Sequence, residues 1–215
     1  MKSKLLPDLR FVGSLTLAGL VSGGLTANLS MDYLDGCLFG VMLAFSLAIS
    51  GITDRLWKLP CIVVLTTVAF FISWMLMFEA AYQFPGGHFS WGGYSRVSPY
   101  SLFIAGMAGG FVVFGGTLRL VNPRIRFRSL VLRVIGGSVL GGALAVIGWA
   151  LGPSLGPWVV TPQPWEVNVW TTAFEDTRLH HCALHVVWQA GMAFALGVNL
   201  RSYRLSPGPE ELKLL

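Results

Sequence analysis

The chain has 215 residues, of which 54% are hydrophobic and 12% charged, and its mean hydropathy is +0.66. A soluble domain carries roughly a quarter charged residues, so half that share beside so much apolar content marks a protein whose surface faces lipid. Six spans of about 20 residues would occupy about 120, leaving loops and short tails but no separate soluble domain, and the net charge of +5 follows the membrane flanks rather than pointing to nucleic acid.

The apolar runs are, in chain order, Phe11–Leu29, Leu34–Ile52, Cys61–Phe84, Tyr100–Val121, Val131–Leu151 and Leu179–Leu200, each 19 to 24 residues long. That length crosses a hydrocarbon core of roughly 30 Å as helix. Pro60 and Pro99 stand where proline suits a helix start, and Pro123 follows the fourth run and helps to stop it. The fold class is therefore all-α: a polytopic membrane helix bundle of about six transmembrane helices. Residues 1–10 form a tail, 11–200 the transmembrane domain with an external loop at 152–178, and 201–215 a second tail.

Lysine and arginine set the orientation. One set of flanks holds Lys2, Lys4, Arg10, Arg55, Lys58, Arg119, Arg124, Arg126, Arg128, Arg133, Arg201, Arg204 and Lys213, and the other only Arg96 and Arg178, a split of 13 to 2. Positive flanks stay cytoplasmic, so a cell-membrane protein with both termini inside is expected. The basic loop Asn122–Arg133 reads as a topology anchor that meets anionic lipid headgroups. The first run is longer than a signal-peptide core and no A-x-A site follows it, so it reads as a true span. The loop 152–178 carries Trp158, Trp165 and Trp170 among four prolines, a composition for the membrane interface. It could hold a short interfacial helix near Trp165–Phe174 or form a lid over an external site.

Inside lipid, helices associate through small residues. Gly19 and Gly23, Gly36 and Gly40, Gly106 and Gly110, and Gly137 and Gly141 recur at spacings of four, which stacks each pair on one helix face. They predict a tightly packed bundle, with an oligomer interface as the alternative. The stretches Ser14–Gly23 and Ser101–Gly110 agree at five of ten positions, and Gly36–Ala44 aligns with Gly137–Ala145. A repeat of three spans would have to be inverted, a 3+3 plan that recurs in secondary transporters.

Ionisable residues are expensive at membrane depth, so their position carries information. They gather at the external ends: Asp32, Asp35, Glu79, His88, then Glu175, Asp176, His180, His181 and His185 leading into the last span. His181, His185 and Gln189 repeat at four and share a helix face. Two histidines at that spacing can bind a transition metal such as zinc, with Asp35 or Glu79 as a further ligand or base. The same residues could relay protons, or simply sit in interfacial water. HxxxH without the glutamate of HExxH is an unspecific motif. Cys37, Cys61 and Cys182 lie in apolar runs and read as small hydrophobes. There is no P-loop, dinucleotide fingerprint or haem CxxCH, and the fourth span has Gly106-Met107-Ala108-Gly109-Gly110 where a membrane serine protease would need GxSG. Three functions remain: a transporter or channel for a small solute or ion, a non-catalytic assembly subunit, and a metal-dependent membrane-embedded hydrolase with an outward-facing His/carboxylate site.

Overall fold

A computed structural model describes residues 2–29, 34–53, 55–83, 88–90, 93–96, 98–159 and 171–204. Seven helices are present among them: α1 (Lys2–Leu29), α2 (Asp35–Ile49), α3 (Lys58–Gln83), α4 (Pro99–Val121), α5 (Phe127–Ala150), α6 (Gly152–Val159) and α7 (Thr171–Arg204). Five of them, α1, α3, α4, α5 and α7, are long and apolar enough to cross a membrane. The connection between α3 and α4 contains a small antiparallel hairpin, β1 (His88–Ser90) with β2 (Gly93–Arg96), in an otherwise helical bundle. Asp32, Trp165, Trp170 and Lys213 lie outside the described residues, as do the side chains of Tyr82, Gln83, His88, Glu175, Asp176 and Arg178.

The hydropathy runs and the helices differ at their ends for local reasons. α2 has 15 residues, about 22 Å of helix, which falls short of a hydrocarbon core of roughly 30 Å. It stops inside the apolar run because Gly51 adopts φ +66°. The Gly51 N–H donates to Ala48 O (3.0 Å) and the Ile52 N–H to Leu47 O (3.2 Å), the double bond of a Schellman cap. α1 and α7 instead run past their apolar stretches, into the expected tail at 1–10 and the expected loop at 152–178. Helix hydrogen bonding continues into the interface, where polar side chains are solvated. That same loop also contains α6, whose Pro153 lies in the first turn, where its missing N–H has no intrahelical role. Ser98 caps α4 by accepting from Tyr100 N–H (3.3 Å), with Pro99 beginning the helix.

The five long helices and α2 form a closed ring in chain order: α1 on α2, α2 on α3, α3 on α4, α4 on α5, α5 on α7, and α7 back on α1, with α6 against α7. Glycines permit the closest approaches. A Cβ on Gly23 would lie 2.6 Å from Val186 Cα, and one on Gly19 2.8 Å from Ala190 Cα, both on α7. Gly36 and Gly40 meet Thr66, Thr67 and Val63 of α3, while Gly106 and Gly110 face Gly141 and Gly137 of α5. The ring order is compatible with exchanging its two halves. The aligned glycines, however, do not meet equivalent neighbours: those of α1 face α7 across the halves, whereas those of α4 face α5 within one. The glycine contacts therefore do not themselves repeat between the two halves.

The two ends of the ring differ. At the end holding the α5 N-terminus and the α7 C-terminus, Arg133 donates to Asn199 O (3.1 Å) and Arg119 to Pro123 O (2.7 Å). Above this basic end a continuous apolar core fills the ring, including Leu15, Leu43, Leu47, Phe114, Met192 and Leu196, all 2% exposed or less. Toward the opposite end the packing opens.

Candidate functional site

A cavity occupies the half of the ring away from the basic end, between α2, α3, α4, α5 and α7. About 100 Å³ of it is open to the centres of water-sized molecules, room for several waters at roughly 10–15 Å³ each. His181 and Gln189, eight residues apart on α7, both line it, so it extends about 12 Å along that helix. Gln189 lies near the middle of the apolar stretch Leu179–Arg201, and Thr66 of α3 lines the cavity with it. The site therefore reaches from one end of the bundle to about half its depth.

Asp35 opens α2 and is 5% exposed. The helix N-terminus favours its negative charge. Its Oδ2 stands 3.6 Å from His185 Nε2, joining α2 to α7. His181 lies one turn earlier, its ring tilted 43° to that of His185 with centroids 6.0 Å apart. Its other side meets the edge of Trp149 at 5.5 Å. His180 turns away: its ring stacks on Trp149 at 5.0 Å and its Nδ1 lies 2.5 Å from Trp149 O. These contacts belong to the α5–α7 seam, outside the cavity.

Gln189 forms the floor. The Ser22 hydroxyl of α1 donates to its Oε1 (2.5 Å), and its Nε2 donates to Thr26 Oγ1 (3.4 Å). All three residues are buried. This bridge explains the i, i+4 spacing of Ser22 and Thr26: both face α7. The Cys182 thiol makes a further α1–α7 link to Ala27 O (3.3 Å). The three cysteines are free, Cys182 buried and Cys37 and Cys61 partly so.

Of the residues singled out by sequence, Asp35, His181, His185 and Gln189 thus line one cavity. Glu79 does not join them. It is exposed near the end of α3 and is not part of the cavity wall. The sequence offers Asp35 or Glu79 as the carboxylate beside the two histidines, and the bundle brings Asp35. Among the described residues no group of three His, Cys, Asp or Glu side chains is disposed to hold a metal ion.

The rest of the wall was not legible as a site. Phe39, Phe70, Trp74 and Trp188 line it with the hydroxyls of Thr66 and Ser73. Trp188 meets Phe39 edge-on at 6.0 Å, and Phe70 lies 6.0 Å from the His185 ring. The Trp188 Nε1–H is buried without an acceptor among the described residues. So are the hydroxyls of Thr117 and Ser138, which do not line the cavity. In an apolar span, aromatic residues carry no mark that separates a cavity wall from lipid contact. Compared with protein family models, with curated proteins and with solved structures, the chain matches none.

Proposed function

We propose that the chain is a membrane transporter for a small solute or ion, using the cavity between Asp35 and Gln189 as its binding site. The observation that carries this reading is the position of the cavity: it runs from one end of the bundle to mid-depth, where transporters hold their substrates. The apolar core beyond Gln189 closes the other half. A site open on one side and sealed on the other suits alternating access better than a continuous channel. A non-catalytic assembly subunit has no need of a carboxylate, two histidines and a glutamine in one cavity, because burying them is costly.

In the same reading the basic end faces the cytoplasm of a cell-membrane protein, with both termini inside, and the cavity opens outward. The exposed Arg119, Arg124, Arg126 and Arg128 then meet anionic headgroups. The hydrolase alternative would place zinc on His181 and His185 with Asp35 as third ligand; metal analysis of wild type and of His185→Ala tests it by stoichiometric zinc lost in the variant.

The transport reading is tested by accessibility in a cysteine-free background. A membrane-impermeant thiol reagent should modify Ser73→Cys from the side of Asp35, and should not modify Ser138→Cys from that side. A Ser73→Cys protein that no hydrophilic reagent reaches would favour the assembly subunit.

A further inference from the structure

The outer face of the bundle carries a second concavity, at the basic end. It is a groove of about 560 Å³ in the seam between α4 and α5, lined by those two helices and the loop that joins them. On α4 the wall steps through Phe111, Gly115 and Arg119, and on α5 through Phe127, Val131 and Ile135. Each series has a spacing of four, which keeps to one helix face. Residues 122–126 turn the chain back on itself between the helices. Arg119 and Phe127 therefore stand at the mouth, and Phe111 and Ile135 at the deep end. Phe127 is 80% exposed, Phe111 59% and Ile135 54%, so the groove faces lipid and not the interior of the ring.

Its dimensions are those of one acyl chain. From Phe111 to Arg119 the helix rises about 12 Å. One leaflet of a hydrocarbon core of roughly 30 Å is roughly 15 Å deep. Phe111 lies near the middle of the span Pro99–Val121 and Arg119 in its last turn, so the groove runs from the interface nearly to mid-depth. Its floor exists because residue 115 is glycine. A Cβ there would meet Val134 Cγ2 at 3.5 Å, an ordinary contact. The two helices thus need no glycine at this level to approach, and the missing side chain leaves space instead.

The mouth carries one sign of charge. Arg119 lines it, and its guanidinium donates to Pro123 O (2.7 Å), which holds the group at the end of the groove. Arg124, Arg126 and Arg128 are exposed around the same turn, and the sequence has no Asp or Glu between Glu79 and Glu166. A guanidinium fork matches the oxygens of a phosphate. Placed at the interface end of a groove of acyl length, it complements a phosphodiester that carries an acyl chain.

We propose that the α4–α5 seam is a discrete binding site for one acidic phospholipid, its acyl chain lying along Gly115 and its phosphate on Arg119. The site is separate from the Asp35–Gln189 cavity and does not depend on what that cavity carries. It differs from a general attraction of headgroups to the basic end, because it requires the groove as well as the charge.

Native mass spectrometry of the purified full-length protein tests it, by titration with phosphatidylglycerol and with phosphatidylcholine of the same chains. Wild type should retain one phosphatidylglycerol saturably, about fivefold or more tighter than phosphatidylcholine. Arg119→Gln should weaken phosphatidylglycerol by about fivefold. Arg128→Gln removes the same charge outside the groove and should cost distinctly less, because exposed charges out of contact are screened. Gly115→Leu should fill the groove and weaken both lipids with every arginine retained. Should that variant not fold, Val131→Trp fills the same groove from α5. Equal binding of the two lipids by wild type, equal losses in Arg119→Gln and Arg128→Gln, or wild-type binding in a folded groove-filling variant would overturn the site. Displacement of the lipid by inorganic phosphate would also overturn it, since the anion would then bind without the chain. A wild-type dimer that Gly115→Leu dissociates would give the groove to a second copy of the chain and overturn the lipid assignment.

Discussion

Replacing Gly106 by alanine tests whether glycine contact sets the spacing of α4 and α5. A Cβ at this position would lie 2.7 Å from Ala145 Cβ and would also strike the Gly141 carbonyl, a backbone group that cannot rotate away. Carbon atoms prefer a separation of about 3.5–4.0 Å, so the helices must part by about 1 Å. Alanine at Gly136, on the exposed face of α5, would meet nothing within 4 Å. Both substitutions gain the same intrinsic helix propensity. The difference between them therefore isolates the steric cost, about 1–3 kcal/mol for overpacking. That corresponds to melting midpoints separated by about 3–9 °C for a chain of this size. Thermal unfolding of the two variants in one detergent, followed by circular dichroism, measures it. A Gly106→Ala protein as stable as Gly136→Ala would refute the packing argument.

Three further outcomes follow from the same structure. Removing Ser22 and Gln189 singly and together (Ser22→Ala, Gln189→Leu) should give a coupling of about 1 kcal/mol in a double-mutant cycle, the size of interhelical hydrogen bonds in membranes; additive effects would mean the two side chains do not bond. Gly51→Ala should destabilise by about 1–2 kcal/mol in chemical unfolding, since φ +66° is the left-handed region that a Cβ disfavours; an unchanged midpoint would contradict the cap. Single cysteines within residues 86–98 and 152–178 should react with an external thiol reagent in intact cells, and those within 122–129 should not; the reverse pattern would invert the proposed orientation.

Much of the fold was legible because lipid imposes it. Long apolar runs must be helices to satisfy their own backbone, and five of the six expected runs are helices long enough to span. What hydropathy could not mark was where hydrogen bonding stops. Gly51 ends α2 inside an apolar run, and α7 begins at Thr171, well before the apolar stretch, because polar residues at an interface do not break a helix. The site was half legible. The four-residue period placed His181, His185 and Gln189 on one face, and only the ring order could show that this face meets Asp35 rather than Glu79. Helix choice is a tertiary matter, settled here by Gly19 and Gly23 docking α1 on α7 and by Gly36 and Gly40 docking α2 on α3. Phe39, Trp74 and Trp188 were hidden for the opposite reason: in a span that is apolar all round, pattern does not distinguish inward from outward.

The central claim, that the Asp35–Gln189 cavity is a transport site, is tested most directly by solute flux in proteoliposomes. Wild-type protein should take up at least one member of a broad panel of small cations and neutral solutes above protein-free vesicles, and Asp35→Asn, reconstituted to the same density, should reduce that uptake by about tenfold or more. Wild-type vesicles no more permeable than empty ones to every member of the panel, or an Asp35→Asn protein that transports as well as wild type, would contradict it.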